Sequence, residues 1–330
     1  MGSNYARKGS MPVRLHSKCL RMGSKCHRRP SNCLNFTDFG LLSPETLNLN
    51  LQTLQTFQTS PFLSSPLQIH FMYSTLLVEK KNNRALIKLN RPEVYNAFNE
   101  QMKSDLQDAL KDCEKDKEVR VVIITGEGKA FCSGQDLKEV MSMPNRSFLE
   151  SLHKGYNPII RAIRNMPKPV ICRLNGVAAG AGMSLALACD LIIASEEATM
   201  TEIFINIGLV LDSGSSYFLP RLVGSAKAFE LATTGRKVSA KEALEIGIVN
   251  KVVPAAELDA AMEEVTNYYA NAPTKAIGLM KKMLNKSFHS DLETMLDYEA
   301  YCQEIAGSSA DNKEGVNAFL EKRKPVFKGE

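Results

Sequence analysis

Short apolar runs separated by glycine turns dominate residues 73–255, and longer stretches with helical spacing fill the remainder of the chain. Residues 76–79 and 85–89 alternate apolar and polar side chains, the period-two pattern of strands lying side by side. Residues 121–125, 170–174 and 191–194 are nearly continuous apolar runs, as expected of strands covered on both faces. Asn99 precedes Met102, Leu106, Ala109, Leu110 and Cys113, which recur on one face of a helix that the asparagine can cap. Beyond about residue 255 the spacing is helical throughout, over 258–270, 274–285, 292–305 and 312–323.

Two of the buried strands run directly into glycine turns. After 170–174 come Gly176, Gly180 and Gly182, then an Ala-, Leu- and Met-rich helix. After 121–125 come Gly126, Gly128 and Gly134, again leading into a helix. Glycine lets the backbone turn sharply and approach a ligand, and the first N–H groups of a helix lack internal partners and carry partial positive charge. Each turn is therefore a place to hold developing negative charge, either a phosphate or an enolate oxygen.

Composition narrows the class. Hydrophobic residues make up 44% and charged residues 23% of the 330, the balance of a globular protein. No apolar run reaches the roughly 18 residues of a membrane span, and no membrane partner is expected. The formal charge of +5 is concentrated in residues 1–71, which hold eight Lys/Arg against Asp38 and Glu45, leaving −1 for the rest. A nearly neutral body leaves no footprint for nucleic acid. Of the eight cysteines, Cys113, Cys132, Cys172, Cys189 and Cys302 sit in apolar surroundings and read as core residues. Cys19, Cys26 and Cys33 lack known metal-ligand spacing, and no metal is expected. Residues 1–71 are expected to be disordered. They read either as a mitochondrial transit peptide, which implies the matrix, or as an over-extended start before Met72, which implies the cytoplasm.

The segments Leu89-Asn90-Arg91-Pro92-Glu93, Asn96-Ala97-Phe98, Gly126-Glu127-Gly128-Lys129-Ala130-Phe131-Cys132-Ser133-Gly134-Gln135-Asp136-Leu137 and the 169–190 glycine turn occur in one order and spacing. Together they resemble the enoyl-CoA hydratase/isomerase (crotonase) family, over more than three quarters of the chain. The resemblance implies an α/β crotonase (ClpP-like) spiral of ββα repeats over 72–255 and a C-terminal helical trimerisation region over 256–330. It also implies an acyl-CoA thioester substrate and a homotrimer or dimer of trimers. No cofactor is expected, since coenzyme A enters with the substrate, and the setting would be fatty-acid β-oxidation or phenylacetate catabolism.

Carried over residue by residue, the family's two oxyanion donors fall on the N–H groups of Gln135, after Gly134, and Ala181, between Gly180 and Gly182. The two glutamates of hydratases fall on Ser184 and Phe204, so ordinary hydration is not expected. Asp212 falls where isomerases of the family carry a carboxylate, most like ring 1,2-epoxyphenylacetyl-CoA isomerase and Δ3,Δ2-enoyl-CoA isomerase members, although Leu211 stands where those usually have proline. An isomerase needs only one such base. Glu202 is a reserve candidate, otherwise a solvated strand-end charge. The backbone of Ala130–Cys132 is expected to hold the adenine, and Phe319 and Lys322 to reach a neighbouring subunit's ligand. Asp212 could instead cap a helix, and Asp136 and Asp190 fit loop-holding roles better than chemistry. A dinucleotide site is disfavoured by the missing third glycine, and a serine hydrolase at Ser184 by an incomplete elbow. An enoyl-CoA hydratase using a different acid, or a non-catalytic acyl-CoA binder of the same fold, stays open.

Overall fold

Ten strands among the described residues, 73–330 of a computed structural model, form two sheets. The expected disordered leader of 1–71 lies outside the described residues. The first sheet holds β1 (Leu76–Lys81), β2 (Arg84–Leu89), β3 (Val121–Gly126), β5 (Val170–Leu174), β7 (Leu191–Ser195) and β10 (Lys251–Val253), in that order. The second holds β4 (Ala130–Cys132), β6 (Val177–Ala179), β8 (Thr199–Thr201) and β9 (Val238–Ser239). The period-two reading of the first strands holds: β1 and β2 are antiparallel, with Leu76 opposite Leu89.

Alternation explains the two cores. From β2, β3, β5 and β7 one set of side chains, including Ile87, Val122, Ile124, Cys172 and Ile192, faces the main core. That core is closed by α1 (Glu100–Lys115), α3 (Asn157–Asn165) and α4 (Ala181–Ala188). The intervening set, Val121, Ile123, Ile171 and Ile193, faces the opposite way onto Leu258, Ala261 and Met262 of α8 (Leu258–Asn271). Asn99 caps α1 as its sequence suggests, accepting from the Met102 N–H at 2.8 Å. All five described cysteines are buried and free.

The repeat is visible in the connections. β3, β5 and β7 of the first sheet are each followed at once by β4, β6 and β8 of the second. Because β4, β6 and β8 lie side by side and parallel, their C-terminal ends fall next to one another. That edge carries the turns after Cys132, Ala179 and Thr201.

The chain ends in four helices, α8, α9 (Thr274–Ser287), α10 (Leu292–Gly307) and α11 (Ala310–Leu320). A buried lysine ties α9 to the core: Lys281 Nζ donates to Asp190 Oδ2 at 2.6 Å, Ile163 O at 2.7 Å and Lys168 O at 3.2 Å. Asp190 also accepts from the Val170 N–H at 2.8 Å and Arg164 at 3.0 Å, the structural role expected for it. Lys281→Met strands two carbonyls and half of a buried ion pair, so it is expected to lower stability by about 3 kcal/mol in urea unfolding. A change within about 0.5 kcal/mol, the range of ordinary surface substitutions, would contradict this account.

Candidate functional site

The two glycine turns meet at their backbones. Gly134 has a φ of +95°, and a Cβ on it would lie 2.8 Å from Ala179 O and 3.6 Å from the Ala181 nitrogen. On the other side, a Cβ on Gly182 would collide with the Cys132 carbonyl. Only glycine permits this approach. It brings the backbone of Gly134 and Gln135 beside the open N-terminus of α4, where Ala181 is the first residue. Neither the Gln135 N–H nor the Ala181 N–H has a backbone partner in a turn or cap among the described residues. Two such donors can serve one oxygen that gains negative charge.

The Gln135 turn is held by Phe98. Its N–H donates to Gly134 O at 2.7 Å, and its carbonyl accepts from the Asp136 N–H at 2.9 Å and Gln135 Nε2 at 2.8 Å. Asn96, fully buried, accepts from the Arg91 N–H and donates to Glu127 O and Ala130 O. Asp136 caps the helix α2 (Leu137–Met141) and pairs with Arg91 at 2.9 Å. The polar residues Asn96, Arg91 and Asp136 of these segments therefore serve as loop supports, as expected for Asp136.

Two residues that sequence reasoning missed complete this side. Tyr156 ends a π-helical turn, Ser151–Tyr156, and its hydroxyl donates to Gln135 Oε1 at 2.6 Å. Arg146, on the loop before that turn, donates to the same oxygen at 3.0 Å and to Ser151 Oγ. Burial, with the charge of Asp212 adding to it, holds the Tyr156 hydroxyl well above the usual phenol range, so it remains a donor. The loop has no periodic pattern, and neither residue carried a signal in sequence beyond membership of a segment with no assignable shape.

Asp212 lies in a tight turn made by Ser213, at a φ of +51°, and Gly214, at +86°. Its side chain does not cap α5 (Ser215–Val223); the helix starts from Gly214 with no side-chain cap. Burial pushes the Asp212 carboxyl above its ordinary value, opposed by the neighbouring Ser213 hydroxyl and then by the charge of Arg146. Glu202 departs from the expectation of a solvated strand-end charge. It follows β8 directly, is only 1% exposed, and accepts the Ser215 hydroxyl on Oε1. Burial and then the neighbouring Asp212 raise its carboxyl to about 7, against the lowering effect of Ser215.

Other expected site residues are placed differently from one another. Phe204 is on a 3-10 turn, Ile203–Ile207, and its ring lies 3.7 Å from where a Gly180 Cβ would be. Ser184, expected to touch substrate, is fully buried and its hydroxyl turns back to Gly180 O at 3.2 Å, so it supports the turn. Ala130 O is already shared by Asn96 and Asn175. Cys132 is buried, and burial raises its thiol to about 12. Phe319, 83% exposed, lies near the end of α11, with Lys322 just beyond it. Neither takes part in the hydrogen bonds around Gln135 and Asp212.

Five buried side-chain polar atoms among the described residues lack a partner, and four of them belong to Arg146, Glu202, Asp212 and Ser213. Natural interiors leave few such atoms, and a cluster of them marks a place where a ligand or reacting group belongs. A carboxylate raised by burial, a nearby cation and two free N–H donors can move a proton and hold the charge left behind.

Comparison with known proteins agrees with this geometry. The enoyl-CoA hydratase/isomerase family model matches residues 79–330. The chain is 42% identical to 1,2-epoxyphenylacetyl-CoA isomerase of Escherichia coli, over 74% of this chain and 94% of that one. It is 35% identical to short-chain-enoyl-CoA hydratase of Clostridium acetobutylicum, over 76% and 96%. The solved structure of enoyl-CoA hydratase from Bacillus anthracis superposes with a TM-score of 0.75 at 35% identity, covering 78% of this chain and all of that one. With its paired glycine turns, its two-sheet spiral and these relatives, the chain belongs to the enoyl-CoA hydratase/isomerase family and has the crotonase fold.

Proposed function

We propose that the protein isomerises an unsaturated or ring-epoxidised acyl-CoA, with Asp212 as its single base. The observation that carries this reading is a half-buried carboxyl, Asp212, whose Oδ1 is buried without a partner and which has no capping duty. Ser184 and Phe204 stand where a hydratase of the family would have its two acids. For a 3-enoyl-CoA, Asp212 takes a proton from C2 and the C–H electrons form a dienolate. The N–H groups of Gln135 and Ala181 hold the thioester oxygen, and Asp212 returns the proton to C4 as the double bond moves to C2–C3. Proton transfer and charge stabilisation then come from a side chain and the backbone, so the reading needs no resident metal or redox cofactor.

Asp212→Asn should lower 3-enoyl-CoA isomerisation by about 10² or more, with little 2-enoyl-CoA hydration in either protein. Appreciable hydration by the wild type, or an unaffected variant, would sink this assignment of the base. Binding of acyl-CoA without turnover would instead favour the non-catalytic binder.

We further propose that the helical tail joins three copies, or two such trimers. α9, α10 and α11 enclose a groove of about 740 Å³ whose apolar wall includes Met280, Leu296 and Phe319. Leu284, Leu292 and Leu320 nearby are also largely exposed. Large exposed apolar patches of this kind are rare on monomers. In such an assembly Phe319 and Lys322 would reach a neighbour's ligand. Sedimentation is expected to give the mass of three or six chains, reduced to one by Leu284→Glu; a wild-type monomer would overturn the assembly.

A further inference from the structure

The isomerase reading gives one carboxyl a task, yet the fold places two together, Glu202 buried and Asp212 half-buried. Glu202 follows Thr201, whose carbonyl accepts the Gly180 N–H at 3.0 Å. The end of β8 therefore carries Glu202 beside the turn that presents Ala181. From the other direction, the Ser215 N–H donates to Asp212 O at 3.0 Å while the Ser215 hydroxyl binds Glu202 Oε1. One serine thus holds both acid-bearing segments. Among the described residues, Glu202 Oε2 and Asp212 Oδ1 are both buried without partners and no cation pairs with Glu202. Arg146 acts on Asp212, and Tyr156 is neutral. Lys227 and Glu230 of α6 (Ser225–Thr234), the helix packed on the 3-10 turn, pair with one another at 2.7 Å.

We propose that Glu202 is a positioning residue: uncharged in the wall beside Asp212, it keeps a second negative charge out of the site while Asp212 moves its proton. This rests on the isomerase reading for its consequence, though not for its geometry. During the step the charge leaving Asp212 spreads over the dienolate, so the total is constant and one cation, Arg146, suffices. Ionised Glu202 adds an anion facing both Asp212 and the dienolate. The active form is then the pair with one proton, whichever microstate is counted.

Burial raises both carboxyls, and Glu202 loses its proton only at about pH 7. Isomerisation by the full-length protein is expected to fall about tenfold per pH unit above that point. Glu202→Gln should abolish this alkaline limb. Ser215→Ala, which removes the donor favouring charged Glu202, should move the limb to higher pH. A limb that stays at the same pH in both variants overturns the proposal.

A carboxyl titration followed by ¹³C NMR reads the pair without substrate. The expected result is one glutamate midpoint near 7, absent from Glu202→Gln and shifted downward in Asp212→Asn. A Glu202 midpoint in the ordinary range, or one that Asp212→Asn leaves in place, overturns the pairing. The expected titration in a protein that isomerises no acyl-CoA supports the pairing and counts against the isomerase reading alone.

Discussion

The contact between two glycine turns, backbone against backbone, sets the geometry on which the rest of this molecule depends. Gly182 sits under the Cys132 carbonyl and Gly134 over Ala179, with no room for a side chain at either point. Parallel pairing of β4 with β6 makes the approach possible, because it places the ends of both strands at one edge. The N-terminus of α4 then opens onto the Gln135 turn. Nothing in this arrangement depends on which side chain Ala181 carries, since the donor is main chain. It depends instead on the absence of side chains at its neighbours.

The same edge explains where the acids go. β8 continues the row beyond β6, so the residue after its last position must fall next to the Gly180 turn. That residue is Glu202. Asp212 arrives by a different route, through a turn with Ser213 and Gly214 both in the left-handed region. Ser213 adopts a conformation that costs a non-glycine residue free energy, and such positions persist where surrounding structure fixes them. The neighbouring Ser215, binding both acid segments, is the part of the surroundings that does so.

Much of the fold was legible from pattern because the elements that make it are strongly periodic. Alternation in 85–89 reports burial on one face and the continuous apolar run of 121–125 burial on both, and the helices beyond 258 follow from spacing alone. The glycine turns were legible for the same reason that they work: few residue types tolerate the approach. The acids were less so. Asp212 was visible only through likeness to a family, and Glu202 was expected to be solvated. Burial of a carboxyl is decided by the pairing of β8 with β6 and by α5, contacts distant in sequence that no local window records. Arg146 and Tyr156 were hidden for a related reason. Their segment has no period, and a π-helical turn has no sequence signature comparable to that of an α-helix.

Phe204 makes the two-acid arrangement intelligible. Its buried ring lies close to Gly180, so that wall of the site is apolar. An apolar wall strengthens every remaining electrostatic interaction in the site. Under those conditions a lone carboxylate with one cation can be balanced, whereas two carboxylates cannot both be charged without a second cation. Among the described residues the fold supplies Arg146 and no other close positive group for the pair, and it supplies a hydroxyl, Ser215, for Glu202. On the proposed reading, phenylalanine at 204 and a reluctant acid at 202 are consequences of one constraint: a site that holds a single negative charge.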